Sequence, residues 1–182
     1  MTLNIIHLPR RVDRYELLLA QLATQEIKEF HFWDGIEDSE MPQRGICFAH
    51  QRIIQDAFDK QLETVLIAED DLLLTAPGAF KHFIQNVPTS FDLYLGGISD
   101  GKIQSDGSTT SFSGLMLYMV HRRFYETMLS FSGDQHLDTA LRGMGKFYVC
   151  DPMVAMQQNG FSDNQKRHIE YNVFFKGRNL FI

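Results

Sequence analysis

The chain has 182 residues, of which 44% are hydrophobic and 22% are charged, and its formal net charge is -6. This composition is typical of one soluble globular domain spanning residues 1–182, and the negative charge argues against nucleic-acid binding. The two cysteines lie far apart and predict neither a zinc site nor a disulfide framework, so we expect a reducing, cytoplasmic environment. No apolar stretch has the length of a signal peptide or of a membrane span.

Apolar runs and amphipathic stretches alternate through the first half of the chain. They predict a strand at 3–8, a helix that begins at Asp13 with Glu16 in a capping-box pattern, a strand at 30–33, a loop at 36–45, a helix at 47–60 and a strand at 65–68. The last of these is an unbroken apolar run, which is typical of a strand buried on both faces in a parallel sheet.

The second half continues the alternation. It predicts a helix from Pro77 to about residue 85, strands at 91–95 and 115–120, a helix at 122–131, a short helix at 138–142, and late strands at 147–150 and 154–157. Residues 99–111 are rich in Ser, Thr, Gly and Asp, and form either a mobile lid over a site or a surface excursion. Trp33 and Tyr94 are expected in the core. The alternation predicts an α/β fold with a mainly parallel sheet flanked by helices.

Three carboxylates follow the apolar run at 65–68 directly: Glu69, Asp70 and Asp71, here called the acid cluster. Ligand sites in open α/β sheets lie beyond the carboxyl ends of strands. Adjacent negative charges repel one another unless a cation or ligand donors compensate them. Oxygen ligands suit Mg²⁺ or Mn²⁺, which usually bind through one or two carboxylates plus substrate phosphates. A solvated acidic turn is the alternative interpretation.

Basic side chains follow the first predicted strand. Arg10, Arg11 and Arg14 lie where a strand end would face a ligand crevice, and Arg suits bidentate contacts with phosphate. The alternative is that Arg11, and with it Arg10, is exposed to solvent, which leaves Arg14 as the first candidate. His50 either orients a loop near a ligand or is a hydrogen-bonded histidine of the core.

Several motifs occur in a fixed order along residues 3–163. They are Ile6-His-Leu-Pro-Arg-Arg-Val-Asp-Arg14, Gly45-Ile-Cys-Phe-Ala-His50, Leu66-Ile-Ala-Glu-Asp-Asp71, Gly114 to Val120, His136-Leu-Asp138, Asp151-Pro152 through Gln157, and Ser162-Asp163. In this order they resemble the motifs of glycosyltransferase family 25, which contains lipooligosaccharide galactosyltransferases and collagen galactosyltransferase domains. His7 stands where the family usually has Asn, and Ala49 where it has Ser.

The resemblance implies a GT-A-like, Rossmann-like fold, a nucleotide-sugar donor, a saccharide or glycolipid acceptor, and a Mn²⁺ or Mg²⁺ ion. It makes Asp71 the first metal ligand, with His168 as a further candidate that could reach back from the tail. The candidates for donor binding are Arg10, Arg14, His50, Glu69 and Asp70. A metal ion in this position would neutralise the negative charge that grows on the departing diphosphate.

An inverting transfer also needs a base that takes the proton of the acceptor hydroxyl group. Asp138 matches the family's Asp and is the first candidate, with Asp134 in reserve. The alternative is that Asp138 only caps its helix.

The sequence therefore predicts a hexosyltransferase that moves a sugar such as galactose from a UDP-sugar to a saccharide hydroxyl group, with inversion. The resemblance places this activity in cell-surface glycan or lipopolysaccharide synthesis, in the cytoplasm or at the inner face of the membrane, with at most peripheral membrane association. The alternative is a catalytically inactive relative that binds a nucleotide-sugar or a partner, which the departure at Ala49 motivates. A haloacid dehalogenase phosphatase does not fit, because Leu73 lies two residues after Asp71 where that chemistry requires an acid.

Overall fold

A computed structural model of the protein describes residues 1–182 and shows an α/β fold built on one large sheet. The strands are β1 (Leu3–His7), β2 (Phe30–Asp34), β3 (Thr64–Glu69), β4 (Leu72–Leu74), β5 (Leu93–Leu95), β6 (Asp100–Gly101), β7 (Ser108–Thr109), β8 (Phe112–Ser113), β9 (Leu117–His121), β10 (Phe147–Val149), β11 (Ala155–Gln157), β12 (Gly160–Ser162) and β13 (Arg167–Ile169). The α-helices are α1 (Val12–Thr24), α2 (Pro42–Asp59), α3 (Ala79–Gln85), α4 (Tyr125–Leu129) and α5 (Leu137–Ala140), and two 3-10 helices span Arg122–Phe124 and Tyr171–Phe175.

The main sheet has seven strands in the order β2-β1-β3-β9-β5-β10-β7. Strands β2, β1, β3, β5 and β10 run in one direction, whereas β9 and β7 pair antiparallel with their neighbours. The predicted α/β fold with a mainly parallel sheet flanked by helices is therefore confirmed. The alternation of elements did not predict the reversal of β9. This reversal brings the amino end of β9 to the edge at which β1, β2 and β3 end.

The core is organised around β3, as its apolar run predicted. Residues 65–68 are at most 3% exposed and pair with β1 on one side and β9 on the other. Tyr94 is buried and stacks on Phe83 with ring centroids 4.5 Å apart, so it belongs to the core as expected. Trp33 is half-buried, and its indole N–H donates to Asn4 Oδ1 at 2.9 Å.

Helix α2 begins at Pro42, although the sequence predicted a loop through residue 45 and a helix from residue 47. Proline suits the first helical turn, where its missing N–H has no partner to lose. Gly45 lies inside the helix, and a larger residue does not fit there because its Cβ atom would be 2.2 Å from the carbonyl oxygen of Ile36. This glycine is required by the close approach of the preceding loop and does not end the helix.

Asp13 does not cap α1, which corrects the predicted capping box. The residue that precedes the helix is Arg11, and no side chain caps it. Asp13 lies in the first turn and accepts hydrogen bonds from Nε and Nη2 of Arg11 at 2.9 and 2.7 Å. The Arg11 guanidinium lowers the pKa of Asp13 to about 2.

The predicted strand at 154–157 lies outside the main sheet, because β11 pairs antiparallel with the unpredicted strand β4. The predicted helix at 122–131 is shorter and consists of a 3-10 turn followed by α4. The stretch 99–111 contains β6 and β7, and β7 joins the edge of the main sheet. Its role as a mobile lid stays a prediction.

None of the helices combines the length and the apolar character that a membrane-crossing segment requires.

One side chain of α1 bonds two backbone groups of β4, in the ribbon that β4 forms with β11. Gln21 donates from Nε2 to the carbonyl of Leu72 at 2.8 Å and accepts at Oε1 from the N–H of Leu74 at 2.7 Å. We expect Gln21→Ala to lower the free energy of unfolding by about 1–3 kcal/mol, because it leaves a backbone donor without a partner. Urea denaturation measures the change. Glu16→Ala, on the exposed face of the same helix, should stay within about 0.5 kcal/mol, and equal losses in both variants would contradict the assignment.

Candidate functional site

A pocket of about 460 Å³ opens at the sheet edge where β1, β2 and β3 end. Its walls come from the ends of β1 and β3, the first half of α2, the segment before β9, α5, and residues between 157 and 174. Pockets of this size hold small molecules and cofactors. The position is the one that open α/β sheets use for ligands, beyond the carboxyl ends of parallel strands.

Asp70 is the most completely bonded member of the acid cluster. It accepts from Nδ1 of His7 at 3.0 Å and from the N–H of Leu8 at 3.2 Å through Oδ2, and from Nη1 of Arg14 at 2.6 Å through Oδ1. The residue is only 5% exposed. Asp70 therefore joins the end of β3 to the end of β1 and to α1.

Asp71 lies beside Asp70 without comparable partners. Its Oδ1 atom is buried and makes no hydrogen bond, and its Oδ2 atom lies 3.6 Å from Nη1 of Arg14. Burial raises the pKa of Asp71 to about 7, with a further contribution from the charge of Glu69, while Arg14 opposes the rise. The carboxylate is thus held in a place where a proton or a cation would stabilise it.

Glu69 is oriented by a buried chain of two side chains. His50 is completely buried, its Nε2 lies 3.2 Å from Oε1 of Glu69, and its Nδ1 lies 2.6 Å from the hydroxyl group of Tyr118. A carboxylate only accepts hydrogen bonds, so Nε2 carries the proton and Nδ1 accepts from Tyr118. Burial keeps the pKa of Tyr118 well above its usual value, so this hydroxyl group stays a donor.

The three arginines that follow β1 all form ion pairs with carboxylates. Arg10 bonds Glu37 and Asp163, with Nη2 2.7 Å from Oδ1 of Asp163. Arg11 donates from Nη1 to Oδ2 of the same aspartate at 2.5 Å. Arg14 donates to Asp70, as described above, and to the carbonyl of Phe161 at 3.1 Å. The basic residues therefore fasten the segment around β12 to α1 and to the acid cluster.

Asp138 faces the pocket from α5. Its Oδ2 accepts from the N–H of Gly114 at 3.0 Å, and its Oδ1 accepts from the N–H of Thr139 at 2.7 Å. The cap position of α5 belongs to His136, so Asp138 is not the capping residue that the alternative interpretation proposed. The half-buried carboxylate holds the segment before β9 against α5.

Most of the predicted site residues are brought together by the fold. Those that line the pocket are Arg14, His50, Glu69, Asp70, Asp71 and Asp138. Arg10 and His168 are not among the lining residues, and both are exposed. His168 lies on β13 and packs edge-on against Phe161 with ring centroids 5.7 Å apart. The roles of all these residues stay predictions.

Several lining residues were not singled out from the sequence. They are Asp100, Gln157, Tyr171 and Phe174. Gln157 belongs to one of the motifs that carry the family resemblance, so its place in the chain was a signal. Tyr171 and Phe174 lie on a 3-10 helix of five residues, which is too short to produce a periodic pattern.

The pocket is strongly acidic. Six carboxylates line it, from the acid cluster, Asp100, Asp138 and Asp163, and Arg14 is the sole lysine or arginine among the lining residues. No group of three or more His, Cys, Asp or Glu side chains is arranged to hold a metal ion. The unpartnered oxygen of Asp71 nevertheless fits an ion of the Mg²⁺ type, which uses one or two carboxylates and takes its other ligands from phosphate and water.

No protein-family model matches the chain, and no curated protein has a similar sequence. Among solved structures, A197 from STIV is similar with a TM-score of 0.51 and 12% identity over 92% of each chain. A glycosyltransferase involved in the glycosylation of the major capsid of PBCV-1 has a TM-score of 0.43 and 15% identity over 70% of this chain and 62% of its own. HddC from Yersinia pseudotuberculosis has a TM-score of 0.45 and 13% identity over 81% of this chain and 88% of its own. The similarity to A197 shows a shared fold, and the other two are too low to carry an argument.

The environment of Asp71 predicts how stability depends on pH. Its pKa rises from 3.8 to about 7 on folding, so the folded state binds more protons between these values and stability falls as pH rises from about 4 to 7. At pH 8 we expect Asp71→Asn to melt at a higher temperature than the ligand-free wild type. The corresponding gain in unfolding free energy is at most about 4 kcal/mol. The two should melt alike near pH 4.

Melting curves between pH 4 and 8 test this expectation. Asp59→Asn is the matched control, because it removes one negative charge from an exposed position of α2. A difference between Asp71→Asn and wild type that does not change with pH would contradict the expected titration of Asp71.

Proposed function

We propose that the protein is a glycosyltransferase of the family 25 type that moves a hexose from a UDP-sugar to a hydroxyl group of a saccharide. The observation that carries the proposal is the buried Asp71, which has an unpartnered carboxylate oxygen in an acidic pocket at the ligand-binding edge of the sheet. A nucleoside diphosphate adds negative charge, so a cation must accompany it into such a pocket. The order of family motifs in the sequence supports the same chemistry.

Asp71 would hold the Mn²⁺ or Mg²⁺ ion, with phosphate oxygens and water completing the coordination. Glu69 is the better second ligand, because His50 bonds only one of its oxygens, whereas both oxygens of Asp70 are occupied. When bound, such an ion supplies the positive charge that stabilises the departing diphosphate.

Some side chains of the site would contact the ligand, and others would hold those side chains in position. Glu69 can bind the metal or the ribose hydroxyl groups of the donor. Both ring nitrogens of His50 and both oxygens of Asp70 already bond groups of the protein, so we assign these residues positioning roles, His50 for Glu69 and Asp70 for Arg14. Arg14 keeps the acid cluster partly neutralised.

Transfer forms a bond between the acceptor oxygen and the anomeric carbon of the donor sugar and breaks the bond from that carbon to the diphosphate oxygen. Direct displacement inverts the configuration at this carbon. The proton of the acceptor hydroxyl group must leave, and we assign its uptake to Asp138, which faces the pocket from α5. Each of its oxygens accepts one N–H in the ligand-free protein and keeps a lone pair for a further proton.

The acceptor class and the pathway are part of the proposal. A saccharide or glycolipid of the cell surface, such as a lipopolysaccharide precursor, follows from the family resemblance. Synthesis of such precursors places the protein in the cytoplasm, at most in peripheral contact with the inner face of the membrane.

Calorimetric titration of the protein with UDP in the presence and absence of Mn²⁺ tests the metal assignment. We expect wild type to bind UDP only with the ion, and Asp71→Asn to lose this binding because the ion loses its carboxylate ligand. Asp59→Asn, which removes an exposed charge, should bind as wild type does. Wild-type affinity for UDP in Asp71→Asn would overturn the assignment.

The base assignment is tested with Asp138→Asn in single-turnover transfer assays. We expect the transfer rate to fall by roughly 10²-fold or more, while affinity for UDP with Mn²⁺ is unchanged, because the proton is taken in the transition state and not on donor binding. A modest loss of thermal stability should accompany this, since one of the two accepting oxygens becomes an N–H₂ donor.

Asp134→Asn is the control, because Asp134 is the exposed acid four residues earlier and only bonds Ser132. A stability loss in Asp138→Asn with nearly full transfer activity would show a purely structural role. Loss of transfer in Asp134→Asn alone would move the base to that residue.

A further inference from the structure

The wall of the pocket includes two aromatic rings from the 3-10 helix at Tyr171–Phe175, which lies beyond the residues that resemble family 25. Tyr171 and Phe174 both line the pocket, and their ring centroids are 6.3 Å apart. Tyr171 is 9% exposed, whereas Phe174 is 49% exposed. A half-exposed phenyl ring in a pocket with six carboxylates is an apolar surface that the proposed metal and phosphate chemistry does not use.

This short helix is firmly attached to the rest of the protein. Asn159 accepts from the N–H of Asn172 at 3.0 Å and donates from Nδ2 to Oε2 of Glu170 at 3.0 Å, so one side chain ties both sides of the helix start. Phe175 is 3% exposed and belongs to the main core cluster. Phe174 is therefore presented to the pocket by a fixed backbone.

Polar groups suited to hydroxyl groups line the same pocket. The side chains of Asn164 and Gln165 lie in the segment that follows β12, and Asp138 lies at the start of α5. These two segments are neighbours, because Nδ2 of Asn164 lies 3.5 Å from Nδ1 of His136, two residues before Asp138. The candidate base thus shares one side of the pocket with the amide groups.

We propose that Phe174, backed by Tyr171, binds the apolar face of the pyranose ring of the acceptor. A pyranose has a face of C–H groups and a rim of hydroxyl groups, so it matches a flat ring flanked by amides and a carboxylate. The inference rests on the proposed function, because it assigns the acceptor side of the same site. It gives the acceptor's chemical class as a cyclic sugar with one face free of axial hydroxyl groups.

Ligand-observed saturation-transfer NMR on the full chain tests the proposal with a panel of methyl glycosides of glucose, galactose and N-acetylglucosamine. UDP and Mg²⁺ are present, because Mn²⁺ would broaden the signals. We expect at least one glycoside to bind wild type and to receive saturation mainly at the C–H protons of one face. Phe174→Ala should weaken this binding roughly tenfold, a loss of about 1.4 kcal/mol.

Two further variants isolate the flat ring. Phe174→Leu keeps an apolar side chain of similar bulk but has no ring face, and it should weaken binding as Phe174→Ala does. This variant tests the ring if Phe174→Ala folds poorly. Val173→Ala is the matched control, because Val173 is 46% exposed on the same helix and does not line the pocket. It should bind the glycoside within twofold of wild type.

Three results would overturn the proposal: no glycoside binds wild type, Val173→Ala loses as much affinity as Phe174→Ala, or the Phe174 variants lose affinity for UDP and not for the sugar. Titration with UDP and Mg²⁺ alone is run in parallel. Failure of wild type to bind UDP would overturn the proposed function, and the glycoside titration repeated without nucleotide would then still decide whether Phe174 binds sugar.

Discussion

The structure depends on how the charge of three successive acids is compensated at the end of β3. Asp70 is bonded by Arg14, by His7 and by a backbone N–H, and these contacts join the end of β3 to the end of β1 and to α1. Asp71 is buried beside it with one oxygen that has no partner. Buried charges are stable only when they are paired or neutralised. The ligand-free protein therefore holds one acid of the cluster in an unfavourable state that a cation or a proton relieves.

The pairing of acids with arginines also determines which charged groups are available to bind a ligand. Arg14 is bound to Asp70, and Arg10 and Arg11 are bound to Asp163, so the three arginines after β1 are already paired. Phosphate groups that enter the pocket would meet an excess of carboxylates. The positive charge that they need would come from outside the chain. This electrostatic argument supports the proposed metal ion, and it does not use the order of motifs that first indicated one.

Features set by local pattern could be predicted from the sequence, and features set by distant pairs could not. The apolar run at 65–68 and the acids that follow it indicated a buried strand and a site at its end. The reversal of β9 and the bond between Arg11 and Asp163, 152 positions apart, depend on partners that a linear pattern does not identify. Gly45 was interpreted as a loop residue. A glycine is needed there because the backbone of Ile36 comes close to it, and this contact exists only in the folded chain. Phe174 carried no signal, since an exposed ring has meaning only beside the pocket that it faces.

Two positions depart from the pattern of family 25, and both have a physical explanation. His7 donates from Nδ1 to Asp70, and the N–H₂ group of an asparagine is a donor of the same kind, so either residue can hold this carboxylate. The imidazole ring also packs against Tyr15 and Phe32, with centroid distances of 5.4 and 5.8 Å. Ala49 is 1% exposed, and a serine hydroxyl group at this position would need a hydrogen-bond partner that a methyl group does not. Ala49 lines the pocket, and His7 supports Asp70 from β1; both departures leave the carboxylates of the acid cluster in place, which supports the proposed active transferase over a relative that only binds.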